Sequence, residues 1–188
     1  MNNQTVALLK ELEKTQTEFW NISVETANFI NMLVKIKKPK QILEIGTSNG
    51  YSAIWIAEAL KYNNCGHLTT IEFYEERRSV ARGYFEQLGL SEFITASQGQ
   101  AVDILIDLVN LPDFSPDIVF IDANKSLYLK FFQVLAPKLK KGTIILADNI
   151  LSHEEKVEPF VSKIKSDPDY QVEILDLPSG LLMALKVN

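Results

Sequence analysis

The sequence has very little cysteine and no long apolar run. Its single cysteine, Cys65, excludes an intrachain disulfide and a zinc site built from several thiolates, so we expect a free, partly buried thiol. No apolar run reaches the roughly 20 residues that a membrane-spanning helix needs. The N-terminal stretch carries acidic residues and lacks the apolar centre of a signal peptide. We therefore expect a cytoplasmic protein.

The sequence also has fewer basic than acidic residues. The net charge is −5 and the pI is about 5.1, which disfavours a nucleic-acid partner, although a local basic patch could exist. Hydrophobic residues make up 46% and charged residues 23%, as in ordinary globular proteins. With 188 residues, we expect one domain over 1–188, with helices in residues 1–36 and a sheet core in residues 41–188.

From residue 41 onward, short apolar runs alternate with amphipathic segments. This alternation predicts an α/β fold, an open parallel sheet with helices on both faces. The predicted strands are 41–45, 67–72, 92–96, 117–121 and 143–147. The predicted helices between and after them are 51–61, 75–88, 100–109, 126–140 and 155–166.

The two ends of the chain depart from this alternation. Two strand-like runs, 170–177 and 181–187, are joined by "PSG" and predict a closing hairpin that makes the sheet mixed at one edge. Before the sheet, 3–19 and 22–36 have the apolar spacing of amphipathic helices.

The stretch "LEIGTSNGYS" places a glycine loop between the first strand and the next helix, where open parallel sheets bind ligands. Gly46, Ser48 and Gly50 do not match the dinucleotide fingerprint, and Glu44 would repel a phosphate. S-adenosylmethionine carries a sulfonium and an ammonium, which a carboxylate favours. Gly46 would let the backbone approach this ligand, although a glycine taken singly also fits a plain turn.

Two further strand ends support this cofactor. Glu72 ends the second strand and can accept hydrogen bonds from ribose hydroxyls. After the third strand, the backbone from Gly99 to Ala101 could meet the adenine edge.

Asp122 follows the fourth predicted strand, and Asp148 and Asn149 follow the fifth. If strands one, four and five are neighbours, these side chains converge beside the glycine loop. Two carboxylates and an amide oxygen are hard ligands of the kind that Mg²⁺, Mn²⁺ or Ca²⁺ prefers. Either aspartate taken alone would fit a helix cap better than a metal site, and the "DN" pair opposite "DxxK" shifts that balance toward the metal.

The set "LEIGTSNGYS", "TTIEF", "FIDANK" and "LADN" resembles the cation-dependent O-methyltransferases, which include catechol and caffeoyl-coenzyme A O-methyltransferases and bacterial relatives. The resemblance begins at about residue 22. It implies a class I S-adenosylmethionine-dependent methyltransferase fold, a Rossmann-like, doubly wound, seven-stranded mixed sheet with the last strand antiparallel. It also implies a homodimer.

The resemblance also implies residue roles. Lys125 would act as the general base, and the metal ligands would be Asp122, Asp148 and Asn149. Contacts to the methyl donor would come from Glu44, Gly46, Ser52, Glu72, Gly99, Ala101 and Asp122.

Two departures from the family pattern concern the residues that support the site and the segment that covers the substrate. Asn124 stands where the family commonly has an acid, and the segment after Asn149 is shorter than in plant members. Substrate identity is therefore not transferred. For His153, inside that segment, we expect a polar loop histidine because no orienting partner is identified.

The preferred function is methyl transfer from S-adenosylmethionine to one hydroxyl of a small vicinal-diol phenol, with a divalent cation. One alternative is methylation of a hydroxylated nucleoside in tRNA, which the acidic charge balance disfavours. Another is a nucleotide-binding regulatory domain without chemistry, which the imperfect fingerprint and the aspartate set disfavour.

Overall fold

A computed structural model describes all residues, 1–188, and contains one seven-stranded sheet. The strands are β1 Gln41–Ile45, β2 His67–Glu72, β3 Ile94–Gln98, β4 Ile118–Ile121, β5 Ile144–Ala147, β6 Tyr170–Leu175 and β7 Leu181–Lys186. Their spatial order is β3-β2-β1-β4-β5-β7-β6. Strands β1 to β5 pair in parallel, and β7 is antiparallel to both neighbours. The predicted Rossmann-like mixed sheet is confirmed.

The helices cover both faces of this sheet. They are α1 Asn3–Glu13, α2 Gln16–Phe19, α3 Val24–Lys37, α4 Tyr51–Asn63, α5 Glu75–Gln87, α6 Ala101–Val109, α7 Tyr128–Leu135 and α8 Glu154–Ser166. Successive strand residues face opposite sides, so Ile42 packs with α3 and α4 whereas Leu43 packs with α7 and α8. The result is two apolar cores, one on each face of the sheet. The polar residues of the predicted site lie at the carboxyl ends of the strands. None of the helices combines the length and apolar character needed to cross a bilayer.

The first predicted helix, 3–19, is broken. Helix α1 ends at Glu13, and the short α2 follows. The side chains of Thr15 and Asn21 both donate to the Leu12 carbonyl, at 2.9 and 3.0 Å, and so satisfy a carbonyl that a continuing helix would have used. Trp20 then adopts a left-handed conformation, with φ 54°, and ends α2.

Three other expectations need correction. The predicted helix 126–140 contains a 3₁₀ turn, Lys125–Leu127, before α7, and it ends early because Pro137 has no N–H to continue it. Strand β3 begins two residues later than predicted, since Ser91–Phe93 form a 3₁₀ turn. Cys65 is exposed rather than partly buried.

Candidate active site

A cavity of about 660 Å³ lies at the carboxyl ends of the parallel strands, within the size range of small-molecule sites. It collects residues from distant parts of the chain. The predicted site residues on its wall are Gly46, Ser52, Glu72, Gly99, Ala101, Asp122, Lys125 and Asn149. Glu44 and Asp148 are the two predicted site residues that do not line it; both are buried behind the wall, with 0% and 2% exposure.

The glycine loop owes its composition to packing. Gly46 has φ +110°, and a Cβ there would lie 2.0 Å from the carbonyl oxygen of Asp122. Gly46 is therefore required by the close approach of the ends of β1 and β4. It also lines the cavity, where we predict that its backbone approaches the ligand. Gly50, with φ +85°, precedes α4, and a Cβ there would meet the Phe85 ring at 2.8 Å.

Glu44 sits beneath this loop. Its Oε1 accepts a hydrogen bond from Ser52 at 2.6 Å, and its Oε2 accepts one from Thr70 at 2.6 Å. Burial raises the pKa of Glu44 to about 7, and the two hydroxyl donors oppose that shift. Ser52 lies between Glu44 and the cavity, so Glu44 supports the wall through Ser52.

Glu72 is held by backbone donors at the end of β2. The Ser48 N–H donates to Oε2 at 2.8 Å, and the Tyr74 N–H donates to Oε1 at 2.9 Å. The carboxylate thus connects the glycine loop to the start of α5. Because Glu72 lines the cavity in a fixed orientation, it can accept hydrogen bonds from a bound ligand.

Asp122 and Lys125 form an ion pair on the opposite side of the cavity. Nζ of Lys125 lies 3.0 Å from Oδ1 of Asp122, and both side chains are mostly buried, with 19% and 13% exposure. Asn124 accepts a hydrogen bond from the Ser126 N–H and so caps the 3₁₀ turn that carries Lys125. Burial raises the pKa of Asp122, and the Lys125 charge opposes that shift.

Asp148 is held by the turn of the β6–β7 hairpin. Ser179 donates to its Oδ1 at 2.6 Å, and the backbone of Ile150 pairs with that of Gly180. Burial and, second, the charge of Asp122 raise the pKa of Asp148 to about 6. Asn149 follows with φ 64°, a conformation that asparagine tolerates, and its side chain lines the cavity.

These residues suit a divalent cation in two respects. Asp122 and Asp148 are close enough for the charge of one to disfavour ionisation of the other, and a cation would relieve this repulsion. Oδ1 of Asn149 accepts no hydrogen bond, and Lys125 and Ser179 occupy only one carboxylate oxygen each. No three His, Cys, Asp or Glu side chains are grouped to hold a metal ion. The set therefore depends on the Asn149 amide as its third ligand.

Sequence reasoning missed several wall residues. The turn Phe19 to Ile22 closes one side of the cavity, anchored by a 2.9 Å hydrogen bond from Ser48 Oγ to the Phe19 carbonyl. The Arg77 guanidinium lies 5.0 Å from the Trp20 ring and 5.3 Å from the Tyr74 ring. Tyr74 could have been found, because it lies two residues after the end of the parallel strand β2. Nothing in the sequence identified Trp20.

His153 was expected to be a loop histidine without an orienting partner. The structure supplies a partner, because Ser152 Oγ lies 3.0 Å from Nδ1 of His153. His153 is the N-cap of α8 and lines the cavity, as does Lys156 one turn later. Residue spacing of three on a helix could have indicated Lys156.

Comparisons with known proteins identify relatives of this chain. A family model described as O-methyltransferase matches residues 2–187. Catechol O-methyltransferase of Niastella koreensis is 36% identical over 146 residues, which cover 75% of this chain and 65% of that protein. Caffeoyl-CoA O-methyltransferase 2 of Petunia hybrida is 31% identical over 194 residues, covering 92% and 79%. The solved O-methyltransferase from Bacillus cereus in complex with SAH gives a TM-score of 0.87 at 25% identity, covering 99% of this chain and 92% of that one.

Proposed function

This chain belongs to the O-methyltransferase family, and from that membership we propose that it transfers the methyl group of S-adenosylmethionine to one hydroxyl of a small vicinal-diol phenol with the help of a divalent cation. The observation that carries the proposal is that Glu72, Asp122, Lys125 and Asn149 line one cavity. On one side of the cavity, the Glu72 carboxylate can bind a cofactor. On the other side, Asp122 and Asn149 provide oxygen ligands, and Lys125 provides an amine.

The cofactor side is formed by the glycine loop, Glu72 and the backbone from Gly99 to Ala101. Glu72 would accept hydrogen bonds from the ribose hydroxyls, while Ser52, held by Glu44, would contact the amino-acid end. The buried carboxylates of this wall favour a ligand with a sulfonium and an ammonium over one with phosphates. The Bacillus cereus protein binds SAH in the same fold, which supports this assignment.

The acceptor side is formed by Asp122, Asp148, Asn149 and Lys125. Asp122, Asp148 and Asn149 would hold the cation, which supplies positive charge that makes a nearby hydroxyl more acidic. Lys125 would accept the hydroxyl proton from its position beside Asp122. Transfer forms the oxygen–carbon bond and breaks the sulfur–carbon bond, so the products are a phenol methyl ether and the demethylated cofactor. The walls around Trp20 and Phe131 would keep the reacting groups aligned.

A three-way activity screen tests this function. Purified protein would be incubated with labelled S-adenosylmethionine and either catechol, bulk tRNA or no acceptor, each with Mg²⁺ and with chelator. We expect label in methylated catechol only when Mg²⁺ is present. Label in tRNA, or catechol methylation that is equal in chelator, would contradict the proposal.

A further inference from the structure

Two lysine-rich runs of the sequence meet at the end of the sheet that lies opposite the cavity. Helix α3 ends at Lys37 and leads through a turn into β1, and a second turn, 140–143, leads into β5. Strands β1 and β5 both pair with β4, so the two turns flank the start of that strand. Nζ of Lys37 donates to the Gly142 carbonyl at 3.1 Å and joins the turns directly. The basic patch consists of six lysines in these runs: Lys35, Lys37, Lys38, Lys40, Lys140 and Lys141.

The charge of the basic patch is largely unopposed. None of its six lysines forms an ion pair. Asp113 and Asp117, on the loop beside the patch, offset at most two of the six charges, and Oδ2 of Asp117 already accepts the N–H groups of Lys40 and Gln41. Outside the patch the chain has 13 basic residues against 24 acidic ones, a net charge of −11. A charge separation of this size directs the patch toward an anionic partner.

Large apolar side chains lie among these charges. Ile36, between Lys35 and Lys37, is 80% exposed, and Tyr62, near the end of α4, is 75% exposed; no other large apolar side chain of the chain is as exposed as these two. Nζ of Lys35 lies 5.1 Å from the centre of the Tyr62 ring, so this ring borders the patch. Exposed aliphatic and aromatic side chains beside lysines are typical of surfaces that bind anionic lipid.

A nucleic acid fits the basic patch less well. The patch contains no arginine, the residue whose planar fork binds phosphates bidentately, and an aliphatic side chain such as Ile36 gains little from a phosphate backbone. The patch lies at the amino ends of the strands and the cavity at their carboxyl ends, roughly 17 Å away for a five-residue strand. A nucleic acid held at the patch would therefore be held away from the cavity.

We propose that the basic patch docks the protein reversibly on an anionic lipid surface, with Ile36 and Tyr62 entering the headgroup region. The lysines supply the attraction to the lipid phosphates, and the two apolar side chains supply the contact with the lipid interior. Because the cavity lies at the opposite end of the sheet, it faces away from the lipid and stays open to acceptors in water. The inference goes beyond the proposed methyl transfer and does not depend on it.

Co-sedimentation with vesicles tests the docking. The protein would be mixed with vesicles of phosphatidylglycerol and phosphatidylcholine in equal parts, or of phosphatidylcholine alone. We expect binding only to the anionic vesicles, weakened severalfold when NaCl is raised from about 0.1 M to about 0.5 M. The double variant Lys40→Gln/Lys141→Gln should bind roughly thirtyfold more weakly, because each lysine near an anionic surface contributes about fivefold. The matched control is Lys10→Gln/Lys130→Gln, which changes the net charge equally at exposed positions outside the patch.

A second variant tests the apolar contact. Ile36→Ser should weaken vesicle binding about tenfold, because the apolar side chain that enters the lipid is lost. Ile106→Ser is its control, since Ile106 is exposed on α6, outside the patch. Binding of SAH by calorimetry checks that each variant is folded.

Four results would overturn the inference. They are equal binding to neutral and anionic vesicles, wild-type binding by both patch variants, an equal loss in the lysine control, and binding of bulk tRNA without binding of the anionic vesicles. Methylation of catechol, measured without vesicles, decides the proposed function separately.

Discussion

The amine of Lys125 lies 3.0 Å from Oδ1 of Asp122, and the pair lies on the wall of a cavity that also contains Glu72. An ammonium has no lone pair to accept a proton. For Lys125 to act as the proposed base, its amine must be neutral when the acceptor hydroxyl gives up its proton and the oxygen attacks the methyl carbon. Asp122 is also a predicted cation ligand: Lys125 contacts its Oδ1, and its Oδ2 is left for the cation.

Replacing Lys125 tests whether it accepts a proton. Lys125→Ala and Lys125→Arg should both reduce kcat by about a hundred- to ten-thousandfold, because Arg keeps the charge but does not deprotonate. Affinity for SAH should be nearly unchanged. Lys130→Ala is the control, since Lys130 is exposed on α7 and does not line the cavity. Near-native turnover by the Arg variant would show that Lys125 is not the base.

Asp148 tests the cation site, because it does not line the cavity and has no other proposed contact with ligand. Asp148→Asn should lose most of its turnover at micromolar Mg²⁺ and recover part of it at millimolar Mg²⁺, since one anionic ligand is missing. Calorimetry should show SAH binding unaffected. Asp103→Asn, on the exposed face of α6, is the matched control. Wild-type turnover by Asp148→Asn at micromolar Mg²⁺ would exclude a metal role for this residue.

Glu72 tests the choice of cofactor. Glu72→Gln keeps an oxygen for only one of the two backbone donors and removes the charge and one acceptor, so the Kd for SAH should rise about tenfold or more. Wild-type protein should bind NAD far more weakly than SAH. The matched control is Glu76→Gln, because Glu76 is exposed on α5 and does not line the cavity. Tighter binding of NAD than of SAH would overturn the cofactor assignment.

The sequence predicted the strands and the residues at their ends well, because these features depend on residues that are adjacent in the chain. Strands β1 and β2 have the predicted bounds, and the polar residues at strand ends meet because parallel strands end at one edge. Alternation of apolar residues also placed the closing hairpin. A local pattern is sufficient to predict a strand or a hairpin because the residues that form it are adjacent in the sequence.

Contacts between distant segments were not predictable in this way. Trp20 and Arg77 are 57 positions apart, and only the folded chain brings their side chains together. The surroundings of two carboxylates were missed for the same reason: we expect Glu44 to contact the methyl donor and Asp148 to bind the cation, but nothing in the sequence indicated the hydrogen bonds that Ser52 and Ser179 donate to them. The "PSG" turn was recognised as a turn, but its contact with Asp148 depends on how the hairpin pairs with β5.

Glu44 supplies a prediction about stability and pH. Its pKa is about 7 in the folded protein because of burial, against 4.5 for the ordinary group. Below pH 4.5 the carboxyl is protonated in both the folded and unfolded chains, so it imposes no penalty. As the pH rises from about 4.5 to 7, the unfolded chain loses the proton first, and the folded state becomes less stable relative to it. Above pH 7 the loss is complete, and it amounts to roughly 3 kcal/mol.

Glu44→Gln removes this loss while keeping a side chain of similar shape that can still hydrogen bond to Ser52 and Thr70. Denaturant unfolding of the protein without ligand, at pH 5 and pH 8, measures the effect. The wild type should lose about 2 to 3 kcal/mol more than Glu44→Gln between these values. Asp122 and Asp148 also have raised pKa values, but they are present in both proteins, so most of their contribution cancels in the comparison. The charge of Asp122 is only one of the smaller causes of the raised Glu44 pKa. Glu76→Gln, exposed on α5, should follow the wild-type curve; parallel curves for all three proteins would show that Glu44 ionises in the folded state as easily as in water.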